Sequence, residues 1–148
     1  MRLALSVGIV WILGLAVTPA SGQILGAWSA ESYILKDGSE LDVEGLIFFS
    51  QKDWSVLFFV KDEHGAVRRG SGEGGTYELE ANELTFTHFY NLSAGDPVAS
   101  LPSSPLRMSV KDAAEAATEP CVVDVGETSM TIHFPSGNRM KFTRSSGF

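Results

Sequence analysis

From Gly26 onward, short runs of alternating apolar and polar side chains are broken by turn-forming residues, the pattern of β-strands with one buried face. Eight such segments are predicted: 28–35, 45–50, 54–60, 76–80, 84–91, 121–125, 130–134 and 140–144. Turn chemistry separates most neighbours, as in Lys36-Asp37-Gly38, Gln51-Lys52-Asp53, Ala81-Asn82-Glu83 and Pro135-Ser136-Gly137-Asn138. The pattern is an antiparallel meander. Eight strands is about the size at which a meander closes and loses its exposed edges, so the expected fold is all-β, an eight-stranded up-and-down barrel.

Alternation assigns the faces. Tyr77 and Leu79 should point inward, as should Leu84, Phe86, His88 and Tyr90; so should Met130, Ile132 and Phe134, and Met140, Phe142 and Arg144. "GLIFFS" and "WSVLFFV" do not alternate cleanly. Leu46 and Phe48 are assigned to the interior with Trp54, Val56 and Phe58. Ile47, Phe49, Leu57 and Phe59 then need a cover, either a helix or a second copy of the protein. "KDEHGAVRRGSGEGG" reads as a flexible loop entering a strand. Another loop, "LSAGDPVASLPSSPL", precedes a capping-box pattern, Ser109 to Asp112, and "AAEAAT". A short helix is expected at about 110–118, ended by Pro120, as a lid or plug over one barrel end or as a cover on the outer wall.

Ahead of the barrel, Arg2 precedes an apolar run from Leu3 to Val17, and Ala20-Ser21-Gly22 has the small side chains a signal peptidase needs. Residues 1–22 read as a secretory signal peptide, and residues 23–148 as one domain, exported to the periplasm or beyond. The run is shorter than the ~20 residues that span a bilayer, so no stable span is expected after cleavage. The whole chain has 11 basic and 18 acidic residues. Without Arg2 the balance is 10 against 18, a net charge of −8. That disfavours nucleic acid and anionic membrane surfaces as partners. Cys121 is the one cysteine, so no disulfide forms within the chain.

In a closed meander the first and last strands are neighbours, which brings Trp28 beside Arg144. An arginine at a barrel end needs cover, and an indole face supplies it, worth ~0.5–2 kcal/mol. Gly26-Ala27-Trp28 with Arg144 resembles the Gly-x-Trp and terminal arginine of the lipocalin-like families of the calycin group. "VEGLIFFSQKDWSV" and "GGTYELEANELTFTHFY" are similar to the bacterial lipocalin-like domain. The central Thr-Asp-Tyr pattern and the usual disulfide of true lipocalins are absent. The resemblance implies a barrel that holds a small apolar molecule. Some barrels of this general kind are isomerases or cyclases acting on lipid-like or polyketide-like substrates.

His88 is the sharpest candidate for chemistry: an inward histidine beside Phe86 and Tyr90 could bind a ligand or transfer a proton, or be bonded within the core. His88 and Tyr90 are therefore the candidate catalytic pair. No carboxylate falls on their inward register, since Glu78 and Glu80 should face out. His64 and His133 do not join His88 in a metal-ligand spacing, and no cofactor motif occurs, so neither metal nor cofactor is expected. The expected ligand-lining set is Leu46, Phe48, Val56, Phe58, Tyr77, Phe86, His88, Ile132 and Phe142. Three functions stay open: a binder of a small hydrophobic ligand, a barrel isomerase or cyclase, or a filled barrel that dimerises through residues 45–60.

Overall fold

In the computed structural model the described residues are 23–147, and the expected signal peptide lies outside them. Nine antiparallel strands follow one another: β1 Gly26–Ile34, β2 Glu40–Phe49, β3 Asp53–Lys61, β4 Val67–Glu80, β5 Glu83–Gly95, β6 Ser104–Val110, β7 Ala117–Val125, β8 Ser129–His133 and β9 Arg139–Arg144. Eight of them close a ring in the order β1-β2-β3-β4-β5-β7-β8-β9, with β9 pairing back onto β1. The expected eight-stranded barrel is therefore present, and β6 is an addition to it.

The addition comes from residues 104–125, which run along β5 as one interrupted strand. β7 pairs with Glu83–His88 of β5, and β6 pairs with Tyr90–Gly95. Between the two, the chain makes a single turn at Ala113–Glu115 instead of the expected helix. Asp112 holds that turn, its carboxylate accepting the N–H groups of Ala114 at 3.0 Å and Glu115 at 3.2 Å. Local helix propensity in "AAEAAT" is worth only tenths of a kcal/mol per residue. It yields to the backbone bonds that β5 offers along its open edge. Pro120 sits inside β7 rather than ending a helix. β8 pairs with β7 only from Val122 onward, so at Pro120 one strand edge is open and a missing N–H is tolerated.

The glycine-rich stretch is also strand. Gly70 to Gly75 belong to β4, paired on both sides with β3 and β5. Its glycines fall on alternate positions: Gly70, Gly72 and Gly74 face outward, while Ser71 and Glu73 face inward.

Trp28, Ile47, Phe49, Leu84, Phe86, Met130, Ile132, Met140 and Phe142 are buried together in the main core. At the closed end, the Arg144 guanidinium carbon lies 4.0 Å from the centroid of the Trp28 ring system. Arg144 also donates to the carbonyls of Leu25 (2.8 Å), Glu127 (3.1 Å) and Gln23. The Trp28 indole N–H donates to the Ile24 carbonyl at 2.8 Å. Toward the opposite end, Leu35, Leu41, Val43 and Val60 form a second cluster, against which Val98 and Leu101 pack from the proline-rich connection. The segment that packs on that end is a tight turn, Val98 and Leu101 exchanging backbone hydrogen bonds around Ala99-Ser100, and not a helix.

Candidate functional site

Two irregularities in the ladder decide which side chains reach the interior. Between Gly74 and Gly75 the register slips: Gly74 pairs with Tyr90, but Gly75 pairs with His88. Phe89 is the extra residue, a β-bulge that reverses the faces of β5. His88 points inward before it, and Asn91 and Ser93 follow on the inner side after it. Tyr90 is left on the outer face, 56% exposed, which corrects its placement beside His88. The bulge needs a glycine opposite. A Cβ on Gly75 would fall 1.9 Å from the Thr87 carbonyl oxygen. The second irregularity, in β1 between Ser29 and Ser32, turns Tyr33 into the barrel.

The interior holds a cavity of about 460 Å³. Val56 and Phe58 of β3, Phe86 and His88 of β5, Ile132 of β8 and Phe142 of β9 all line it. Tyr33, Trp54, Phe134 and Met140 add apolar wall. Three expected lining residues are elsewhere. Leu46 and Phe48 are on the outer face of β2, Phe48 being 49% exposed; Ile47 and Phe49 are the inward pair and are buried. Where four successive residues are apolar, alternation cannot choose a face, and pairing with β1 and β3 settles it. Tyr77 packs beneath the cavity, edge-on to Phe49 at 5.1 Å, with its hydroxyl donating to the Ser50 carbonyl at 2.7 Å.

One wall of the cavity is charged. His88 Nδ1 is 3.0 Å from Glu73 Oε2, and His88 Nε2 is 3.5 Å from Glu119 Oε2. Ser71 donates to the other oxygen of Glu73 at 2.8 Å. The Trp54 ring stands edge-on to the imidazole at 5.1 Å. Bonding to Glu119 and then to Glu73 raises the His88 pKa to about 9 against the opposing effect of burial. Burial pushes the Glu73 carboxyl upward, but the bonds from His88 and Ser71 outweigh it and hold it below the usual value. At neutral pH the cluster is therefore an imidazolium between two carboxylates.

Neither glutamate was among the candidates. Glu73 was hidden by glycine composition, although Ser71 and Glu73 alternate with glycines at period two, a strand signal. Glu119 falls between the expected helix and the strand expected from Cys121, although it shares a register with Cys121 and Val123.

Cys121 is buried and unpaired, and burial, with Glu119 adding to it, pushes its thiol up to about 12. His64 and His133 are on the surface beside Glu63 and Asp124. Among the described residues no cluster of three or more His, Cys, Asp or Glu is placed to hold a metal ion.

Fold and cavity together define the class: a small closed antiparallel β-barrel with an apolar interior site and one polar wall. The chain is similar in structure to a lipocalin-like protein from Bacteroides uniformis, with a TM-score of 0.49 and 17% identity, covering 84% of this chain and 100% of that one. No family model and no curated protein matches the sequence.

Proposed function

We propose that this protein is an exported barrel that binds a small, largely apolar molecule in its interior. The observation that carries the reading is the cavity of about 460 Å³, apolar on most sides with a few convergent polar groups. Its size and composition are those of small-molecule sites, typically ~300–1,000 Å³. Mass spectrometry of an organic extract from purified protein, beside a mock purification, tests it. A stoichiometric lipophilic compound that is lost in Val56→Trp, which fills the cavity, supports the reading. Empty extracts from several hosts, together with no binding of apolar dyes, overturn it.

Catalysis by His88 with Tyr90 is the less supported reading, because Tyr90 does not line the interior cavity. The two side chains are on opposite faces of β5, and both ring nitrogens of His88 are engaged by carboxylates.

A second reading has an observation of its own, on the outer wall. Leu46, Leu57, Gly72, Leu92 and Met108 form one row of paired residues across five strands. Leu57, Leu92 and Met108 are 52%, 49% and 72% exposed, and Phe48 and Phe59 flank them. No helix covers them among the described residues, which leaves a second copy as the occupant suggested by the sequence. Such a contact would be isologous, each copy offering the same strip. Light scattering at micromolar concentration distinguishes a dimer from a monomer, and Leu57→Asp should dissociate the dimer.

A further inference from the structure

The charged wall of the cavity restricts what a ligand can carry. Glu73, His88 and Glu119 are the charged side chains that line it, and with His88 protonated they sum to −1. His88 Nδ1 is hydrogen-bonded to Glu73 and Nε2 is ion-paired with Glu119, so the charge of His88 is already balanced by carboxylates on both sides. The remaining oxygen of Glu73 is taken by Ser71. Glu119 receives no hydrogen bond from the described residues, and it lines the cavity with its side chain 36% exposed. The polar end of the site is therefore net negative, and His88, the one cation on it, is already paired. A ligand carboxylate there would face two like charges at close range, which is unfavourable in a partly desolvated site.

Resting on the proposed interior binding, we infer that the ligand is an amphiphile with a protonated amine head, which docks on Glu119 while its apolar tail runs between Phe58 and Phe142. A charge-assisted N–H···O bond to Glu119 is about twice as strong as a neutral one. Glu73, bonded to both Ser71 and His88, acts as a positioning residue that fixes the imidazole and balances its charge, leaving Glu119 free to take the amine.

The test is calorimetric titration of the purified full chain at pH 7 and physiological salt with three probes of one tail length: decylamine, decanol and decanoate. Decylamine should bind at least ~10-fold more tightly than decanoate, with decanol between them. Glu119→Gln should remove most of that preference, while Glu80→Gln, an exposed carboxylate on the outside, should leave it unchanged. Equal binding of all three probes, or tighter binding of decanoate, overturns the amine head and leaves the interior site standing. A loss as large in Glu80→Gln as in Glu119→Gln also overturns it, because the amine is then held by the acidic surface. If none of the three probes binds, the interior reading fails along with this one. The ranking on the unaltered chain decides the question even if Glu119→Gln does not fold.

Discussion

Arg144 lies over Trp28, its guanidinium carbon 4.0 Å from the ring centroid, and binds three backbone carbonyls of the segments around it. One guanidinium thus seals the barrel end where β1 and β9 meet. Its planar fork serves several acceptors at once while its face covers the indole, which an ammonium group cannot do.

Arg144→Ala should therefore destabilise the fold by about 2 kcal/mol, combining the ~0.5–2 kcal/mol of the cation–π contact with the loss of carbonyl partners. Arg144→Lys should recover less than half of that. Urea unfolding checks both, with an unchanged m-value showing that the native fold is retained. A lysine variant as stable as the parent would show that charge alone suffices.

Cys121 should be inert while the chain is folded. It is buried, and its thiol is pushed up to about 12, so almost no thiolate, the reactive species, exists at pH 8. A disulfide reagent should react at pH 8 at the rate of unfolding, and at the rate of a free thiol once denaturant is added. Rapid reaction of the native protein would place the sulfur at the surface.

Much of the barrel was legible because strict alternation marks a strand and its inner face together. Met130 and Ile132, and Met140 and Phe142, are buried where that rule puts them. The rule fails where another force sets the face. In Leu46–Phe49 every position is apolar, so only cross-strand pairing distinguishes inside from outside. At Tyr90 a one-residue bulge reverses the alternation, and no local composition announces it. In Ala113–Ala117 helix propensity loses to the open edge of β5, a non-local partner invisible along the sequence. The charged wall is hidden for the same reasons: Glu73 falls in the stretch read as a loop and Glu119 just beyond the expected helix, and only the folded ladder brings them to His88.

The bulge makes its own prediction at two nearby glycines. Gly75→Ala places a methyl group 1.9 Å from the Thr87 carbonyl oxygen, a contact that requires backbone movement in β4 or β5. Gly72→Ala meets only ordinary contacts, the nearest being Leu57 Cδ1 at 3.7 Å. The first should cost about 2–4 kcal/mol and the second less than about 0.5 kcal/mol, and thermal and urea unfolding of the two variants compares them directly. Similar losses at both sites would mean that the glycines serve strand flexibility rather than the bulge.

The His88 cluster predicts how stability follows pH. Its pKa is raised from an ordinary value of 6.5 to about 9 by Glu119 and Glu73. The stabilisation is complete below pH 6.5, where both folded and unfolded chains carry the proton. It declines as pH rises from 6.5 and is gone above about 9, where neither does. The full shift corresponds to about 3 kcal/mol, and partial solvent screening reduces that to about 2 kcal/mol. Glu73 has the opposite sign: its lowered pKa gives stability that is present above its ordinary value of 4.5 and lost as acid protonates it. Stability should thus peak in the mildly acidic to neutral range. His88→Gln should abolish the decline between pH 6.5 and 9 while leaving the slope above pH 9, where the unfolded chain's Cys121 ionises more readily than the buried thiol. Urea midpoints taken every half unit of pH on both proteins measure this, and a parent curve flat between 6.5 and 9 would mean that His88 is not held as an imidazolium by its two carboxylates.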